Sequence, residues 1–400
     1  MKILSITAQK ADSTGSGVFL TELVRSFGKL GCQQAVLCGT VPGETIHFPQ
    51  QVTVYPVTYQ STQLPFPICG MSDEMPYEST RYRDLDETMT EQLLEAFRQE
   101  LTHAVTEFQP DVILCHHLYF LAALARELFP EIPVYGQCHG SDLRQIRKNP
   151  WLRDWITERI RKLDGIFALH EPQKQVILDT FGIEPEKIFV LGTGYNSDVF
   201  CLNPEAKASR DSDKIRLIFA GKLSEKKGLF SLLRALHHLS TPQRYELILA
   251  GGYGNREEYA QLCRLAECSP CPVTFLGRLN HTQLALEMNK SDAFILPSFY
   301  EGLPLVLIEA MACGLKAICT DLPGIRPWLD GAIPGSGTLF VTPPRMFNED
   351  EPYPEDLPRF EAELALAIET IEHRPCADQQ LVSQVSWGGL SQKYCTVWNP

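Results

Sequence analysis

No run of about eighteen uncharged apolar residues occurs in this 400-residue chain, so no membrane-spanning helix is expected. The opening "MKILSITAQ" is a short strand-like run without signal-peptide architecture. Positive charge is scarce: 36 Lys and Arg against 49 Asp and Glu give a formal net charge of −13, which excludes a general nucleic-acid binder because phosphate neutralisation needs a basic face. The thirteen cysteines have no framework spacing and sit in apolar runs such as "VILCHH" and "LKAICTD", which points to buried free thiols in a reducing compartment. A cytoplasmic protein is expected, with any membrane contact peripheral. Internal repeats are lacking as well. What is present is the composition of a soluble globular protein, 44% hydrophobic and 21% charged, at a length that favours two domains.

Short aliphatic runs alternate with longer helical patterns, the signature of parallel α/β sheets. Strands are expected at "KILSIT", "QAVLCG", "DVILCHH", "PVYGQCH", "GIFALH" and "KIFVLGTG" in the first half, and at "IRLIFAGK", "YELILAGG", "VTFLGR", "AFILPS" and "LKAICT" in the second. Two doubly wound sheets in series follow, with the polar "NPEAKASRDSDK" (203–214) between them as a linker. Residues 41–90 break the rhythm with six prolines and the tract "DEMPYESTRYRDLDE". This stretch reads equally as an acceptor-side lid or as a mobile loop without catalytic role. "PPRMFNEDEPYPEDLP" (343–358) reads as a surface connection.

Open α/β sheets bind ligands beyond the carboxyl ends of their strands, so residues directly after strands matter most. In "TGSGVFLTELV", Gly15, Ser16 and Gly17 form a turn into a helix whose first N–H groups suit a phosphate, although an ordinary tight turn reads the same way. In "FAGKLSEKKG", Lys222 closes a strand and Lys227 stands at a helix mouth, so both ammonium groups can converge on a departing diphosphate. A solvated lysine cluster is the bland alternative, and the position after an apolar strand argues against it. In "SFYEGLPLVLIEAMACG", Glu301 is a loop residue and Glu309 lies about one turn into a helix among Leu307, Ile308 and Met311. An acid in apolar company needs a partner, and ribose hydroxyls would serve. The amides of Gly302, Leu303 and Leu305, beside Pro304, are free to hold a sugar or phosphate oxygen. A mere preference of acids for helix starts explains Glu301 but not Glu309. In "YGQCHGSDLRQ", His139 follows a strand and can enter a cleft, though a lone histidine is more often structural.

Together these motifs resemble those of glycosyltransferase family 4 over nearly the whole chain, "EGLPLVLIEAMACG" most specifically. "HGSD" resembles the family's His-Gly-Thr-Asp segment, "GTGYNSDVF" its crossover, and "VSWGGLSQKY" its C-terminal returning helix. The resemblance implies an α/β GT-B fold: two facing Rossmann-like domains with parallel sheets, 1–200 on the acceptor side and 201–375 binding the nucleotide-sugar, with 376–400 returning to the first. Lys222 and Lys227 would grip the diphosphate and Glu309 the ribose. Glu301 with Gly302 to Leu305 would hold the hexose, and His139 would touch it from the other domain. Gly15 and Ser16 would approach phosphate or sugar, while Arg278 and Leu279 border the base. Two positions depart from the pattern, Lys222 where arginine is common and Thr14 where a second glycine is usual. The implied activity is metal-free transfer of a hexose, from UDP-glucose or another UDP-hexose, to a saccharide or lipid-linked acceptor, with retention of configuration. The segments expected to line the cleft hold no Asp-x-Asp metal motif.

Rival readings within the same fold are an epimerase, which consumes no acceptor, and a phosphorylase, which needs free phosphate; a sugar-nucleotide sensor is a non-enzymatic rival. Zinc at Cys115, His116 and His117 with Cys138 and His139 is disfavoured, since cysteines on buried strands generally pack. "CSPC" (268–271) is a single pair and carries little. Residues 144–162 hold seven basic and two acidic side chains beside Trp151, Leu152, Trp155, Ile156 and Ile160 at helical spacing. This segment could dock on anionic lipid, or its apolar stripe could be core.

Overall fold

The computed structural model describes every residue except 12, 45, 47, 49, 50, 73, 74, 209–212, 349, 350, 399 and 400. The chain forms two compact units, one of Met1–Gly192 with Trp387–Pro400 and one of Thr193–Ser386.

The first unit is built on β1 (Lys2–Ile6), β2 (Gln33–Thr40), β3 (Val52–Thr58), β6 (Val112–His116), β7 (Val134–Gln137), β8 (Gly165–Ala168) and β9 (Ile188–Val190), while β4 (Cys69–Gly70) and β5 (Thr80–Arg81) pair separately. The large sheet runs β3-β2-β1-β6-β7-β8-β9, all parallel. The second unit holds β10 (Ile215–Ala220), β11 (Tyr245–Ala250), β12 (Val273–Gly277), β13 (Ala293–Leu296), β14 (Lys316–Thr320) and β15 (Leu339–Val341). They run β12-β11-β10-β13-β14-β15, again parallel. Central strands such as β6 and β13 are buried at every position, which is why they read as unbroken apolar runs. In both sheets the order reverses beside the first strand, between β1 and β6 and between β10 and β13. Ligands of such sheets collect beyond the carboxyl ends at these reversals.

Several expectations need adjustment. Residues 52–58, within the segment expected to be irregular, form β3, whose Pro56 lacks an N–H and is tolerated because β3 is an edge strand. The described remainder of 41–90 is packed rather than loose. Tyr59, Leu64, Ile68 and Tyr82 are buried, and Tyr82 lies 5.1 Å from Trp151 between ring centroids. The structure therefore does not build a mobile loop there; residues 45, 47, 49, 50, 73 and 74 of that segment lie outside the described residues. The division between units falls at Gly192, ahead of the expected 200. The described part of the expected linker is docked on the second unit: Asn203 N–H donates to Asn289 at 2.7 Å and Lys207 pairs with Asp292 at 3.2 Å. Residues 209–212 of that linker lie outside the described residues. Residues 376–386 also stay with the second unit, where the Gln379 side-chain amide donates to Met311 O at 2.9 Å.

The returning helix is Trp387–Trp398. Ser391 and Ser26 share a hydrogen bond of 2.8 Å, the Trp387 ring meets Phe19 edge-on at 4.8 Å, and Tyr394 lies 4.1 Å from Phe167. The buried Tyr394 hydroxyl donates to the side-chain oxygen of Gln137, which satisfies both polar groups.

Candidate functional site

In the second unit the loops after β10, β11 and β12 continue the sheet's hydrogen bonding: Gly221 N–H donates to Ala250 O at 3.0 Å and Gly251 N–H to Gly277 O at 2.8 Å. A Cβ on Gly251 would fall 1.7 Å from Gly221 O, so only glycine lets these two loops lie together. Lys222 is exposed and its side chain passes Gly254, while the exposed Arg278 side chain lies across Gly252. Among the described residues no carboxylate pairs with either cation. Leu279 instead packs on the unit's core.

Lys227 ends a short 3-10 turn, and Gly228 behind it has φ +69° with Pro297 O where a Cβ would sit, 2.0 Å away. This contact presses the lysine turn onto the segment after β13. Lys227 Nζ donates to Glu301 Oε1 at 2.7 Å, and the fully buried Ser298 hydroxyl donates to the same oxygen at 2.7 Å. Phe299 N–H donates to Lys226 O at 3.1 Å and fixes the two loops to each other. The pair is partly open, with 28% and 15% of the side-chain surface exposed, so a ligand can reach it. The helix that follows, Leu305–Ala312, begins after Pro304 without a side-chain cap, which leaves its first amides available. Gly302 is exposed and Leu303 nearly buried; Glu309 is half-buried while Leu307, Ile308 and Met311 face the core. The structure thus joins Lys227 to Glu301, sets Lys222 and Arg278 beside neighbouring loops, and starts the Glu309 helix from the same loop as Glu301.

In the first unit, Thr14 caps the helix Gly15–Lys29 by accepting the Gly17 N–H at 3.1 Å, and its hydroxyl shares a 3.0 Å bond with Ser16. The Gly17 amide is therefore taken by the cap, and Gly17 is buried. Gly15 is exposed with no atom within 4 Å of a Cβ position, so protein packing does not require glycine there.

His139 follows β7 and stands within a cluster that sequence reasoning weighed only as a metal site. His116 Nδ1 lies 3.2 Å from His139 Nε2, with the rings stacked at 18°. The His117 ring centroid is 4.8 Å from that of His139, and the Phe19 ring meets His139 edge-on at 5.2 Å. His117 has φ +83°, a left-handed backbone uncommon outside glycine. Burial pushes the His116 imidazole down to about 3, and burial with the neighbouring imidazoles holds His139 well below its ordinary range. His117 is likewise lowered by burial, with Asp142 opposing. Asp142 is fully buried and accepts from the backbone N–H of Leu118, His139 and Leu143, so it holds together the loops that carry the histidines. The Cys138 thiol donates to Asp142 at 3.4 Å, and burial keeps Cys115 and Cys138 protonated. Among the described residues no group of three or more His, Cys, Asp or Glu is arranged to hold a metal ion.

Residues 144–162 turn their apolar stripe inward: Ile156 and Ile160 are buried, and Trp151 and Trp155 pack on the core. Several of the basic groups are spent on the chain itself, Arg144 on Ser72, Arg159 on Glu127, Arg161 on Phe181 O and Lys162 on Glu158. No helix among the described residues is long and apolar enough to cross a membrane.

Comparison with known proteins gives the same picture. Residues 13–199 match the family described as Glycosyltransferase Family 4, and residues 203–347 match Glycosyl transferases group 1. The glycogen synthase of Mycobacterium tuberculosis is 23% identical over 231 residues, 54% of this chain and 54% of that one. The putative glycosyltransferase EpsF of Bacillus subtilis is 35% identical over 167 residues, 39% of this chain and 42% of that one. The chain spans about half the length of these curated relatives. Among solved structures, sucrose-phosphate synthase from Thermosynechococcus elongatus superposes with a TM-score of 0.68 at 16% identity, covering 100% of this chain and 98% of that one. Anabaena HepE in complex with UDP-glucose gives 0.67 at 15% identity, covering 99% of both. At such identities the likeness establishes a shared fold.

Proposed function

We infer, for a chain that belongs to the family 4 glycosyltransferases and has the GT-B fold, that it transfers a hexose, specifically glucose, from a UDP-linked donor to a saccharide or lipid-linked acceptor in polysaccharide or glycolipid synthesis. The observation that carries this reading is the Lys227–Glu301 pair oriented by Ser298 at the β10/β13 reversal. A cation and a carboxylate stand side by side there, where ligands of such sheets bind, which supports a diphosphate-and-sugar ligand. HepE, with the same fold, is described in complex with UDP and with UDP-glucose, which supports the donor class.

Lys222 and Lys227 neutralise the diphosphate and stabilise its departure. Among the described residues no donor meets Glu301 Oε2, so that oxygen accepts from a hexose hydroxyl, assisted by the amides of Gly302, Leu303 and Leu305. Glu309 accepts from the ribose hydroxyls, and Arg278 with Leu279 borders the base. His139 serves to contact the transferred sugar, and Gly15 and Ser16 to approach the phosphate or the sugar. The anomeric carbon–oxygen bond to the diphosphate breaks as the acceptor oxygen bonds to the same face. The acceptor proton passes to the departing phosphate, which gives retention without a protein nucleophile or a metal.

A thermal-shift panel of nucleoside diphosphates and their sugars tests this, because a ligand that binds only the folded state raises its melting temperature. A shift selective for UDP compounds, abolished by Lys227→Ala and by Glu309→Ala, is expected; silence toward every nucleotide would refute the reading. Turnover is expected to survive EDTA, and its loss with recovery on manganese would remove the metal-free mechanism. Product analysis separates the rivals, since an epimerase needs no acceptor and a phosphorylase needs phosphate.

A further inference from the structure

Two of the three imidazoles at the β1/β6 reversal fix each other's protons. His116 Nδ1 and His139 Nε2, 3.2 Å apart, share a single hydrogen, and desolvation holds both rings neutral. The other nitrogen of His116, Nε2, is buried and bonded to nothing among the described residues. A buried N–H without an acceptor is rarer and more costly than a buried lone pair without a donor. The proton of His116 therefore belongs on Nδ1, which donates it to His139 Nε2. A neutral His139 must then carry its own proton on Nδ1, for which no partner is seen among the described residues. The surroundings allow the ring little freedom to swap: Phe19 meets it edge-on at 5.2 Å, and His117, with its left-handed backbone secured by a 3.0 Å bond from its N–H to Gln137 O, closes on it at 4.8 Å. Strained backbone retained among packed residues commonly marks a functional position.

We propose that His116 is a positioning residue that locks His139 as its Nδ1–H tautomer, so that His139 meets the transferred sugar as a hydrogen-bond donor and not as a base. The tautomer stands on the hydrogen-bond geometry and the burial of the two rings; the encounter with sugar rests on the function proposed above.

Imidazole nitrogen NMR on the isotope-labelled full chain at neutral pH decides the tautomer. The expected spectrum shows His139 with a protonated Nδ1 and a bare Nε2. His116→Asn keeps an amide donor near the Nδ1 position and preserves that pattern. His116→Phe fills the space without a donor and lets His139 redistribute its proton. A protonated Nε2 in the unsubstituted protein overturns the proposal, as does a His116→Phe spectrum identical to it. Calorimetry with UDP and UDP-glucose reads the consequence: His116→Phe weakens UDP-glucose about tenfold and leaves UDP unchanged, as loss of one sugar hydrogen bond would. His116→Asn stays within about twofold of the unsubstituted protein. Equal weakening of both nucleotides would remove the role toward the sugar. A protein that binds neither nucleotide would sink the donor assignment, and the NMR spectrum would still decide the tautomer.

Discussion

At the β10/β13 reversal of the second unit, cations and carboxylates stand partly in solvent, Lys227 on Glu301 with Lys222 and Arg278 nearby. The corresponding β1/β6 reversal of the first unit has three neutral imidazoles, two of them against Phe19, and a buried carboxylate, Asp142, turned to backbone amides. The two sheets share a strand order, so topology alone does not set this contrast. Strand order fixes where the two loop clusters stand, and the loop residues set their chemistry: charged side chains in the second unit, neutral aromatic rings in the first.

The contrast can be broken most severely by deleting the chain from Trp387 onward. Trp387, Leu390 and Tyr394 are each at most 5% exposed, and at ~1.5–3 kcal/mol per buried side chain their loss approaches the whole stability of an ordinary domain. Calorimetry should show the first unit's transition lost and the second unit's retained; two intact transitions would contradict the packing described. Acid should separate the units next. The unfolded chain protonates His116 and His117 below about pH 6.5 whereas the folded unit keeps them neutral, so the unfolded state binds more protons and stability falls as pH drops from about 6.5. His116 removes up to roughly 1–1.5 kcal/mol per pH unit, and His117 adds in the same direction. In the second unit Asp356, held down at about 2 chiefly by its hydrogen bond from Arg345, stabilises above its ordinary range and loses that contribution only as pH falls toward 2. The first unit should therefore melt earlier on acidification, and a first unit indifferent to pH 5 would show that its imidazoles are not held neutral.

Two smaller tests sharpen the second unit's half of the comparison. Lys227→Ala should weaken UDP about 10- to 100-fold, the usual worth of a hydrogen bond to a charged group, with little change in ligand-free melting. Unchanged UDP affinity would detach this lysine from the diphosphate. Ser298→Ala removes only one of the two donors to Glu301 Oε1 and should cost UDP-glucose two- to fivefold, measured by calorimetry, with UDP itself unaffected.

The alternation of apolar strands with helices was legible because parallel strands covered on both faces leave unbroken apolar runs. β3 was not, since Pro56 looks like a breaker until its edge position is known, and three-residue β15 is too short to show a period. Lys222, Lys227, Glu301 and Glu309 could be picked out because loops after strands are few and charged residues there are fewer. That Lys227 and Glu301 bond each other, 74 positions apart, needed the fold. His116 went unassigned as a functional group because a histidine ending an apolar run reads as core or as a metal ligand, and its partner lies 23 residues away on the neighbouring strand. That the Thr14 hydroxyl takes the Gly17 amide was not legible either, because the sequence shows a glycine but not its cap.

The second unit is an insertion, entered after Gly192 and left before Trp387. On the ribosome this reverses the order of completion: residues 193–386 emerge with all their strands while the surface around Phe27 and Phe167 still awaits its cover. A nascent chain halted beyond residue 386 should resist protease in its later-made portion first, and early resistance of the amino-terminal portion would show that it closes without help. The nascent first unit thus carries an apolar opening until Trp387–Trp398 has been synthesised, which makes that interval one of exposure to aggregation.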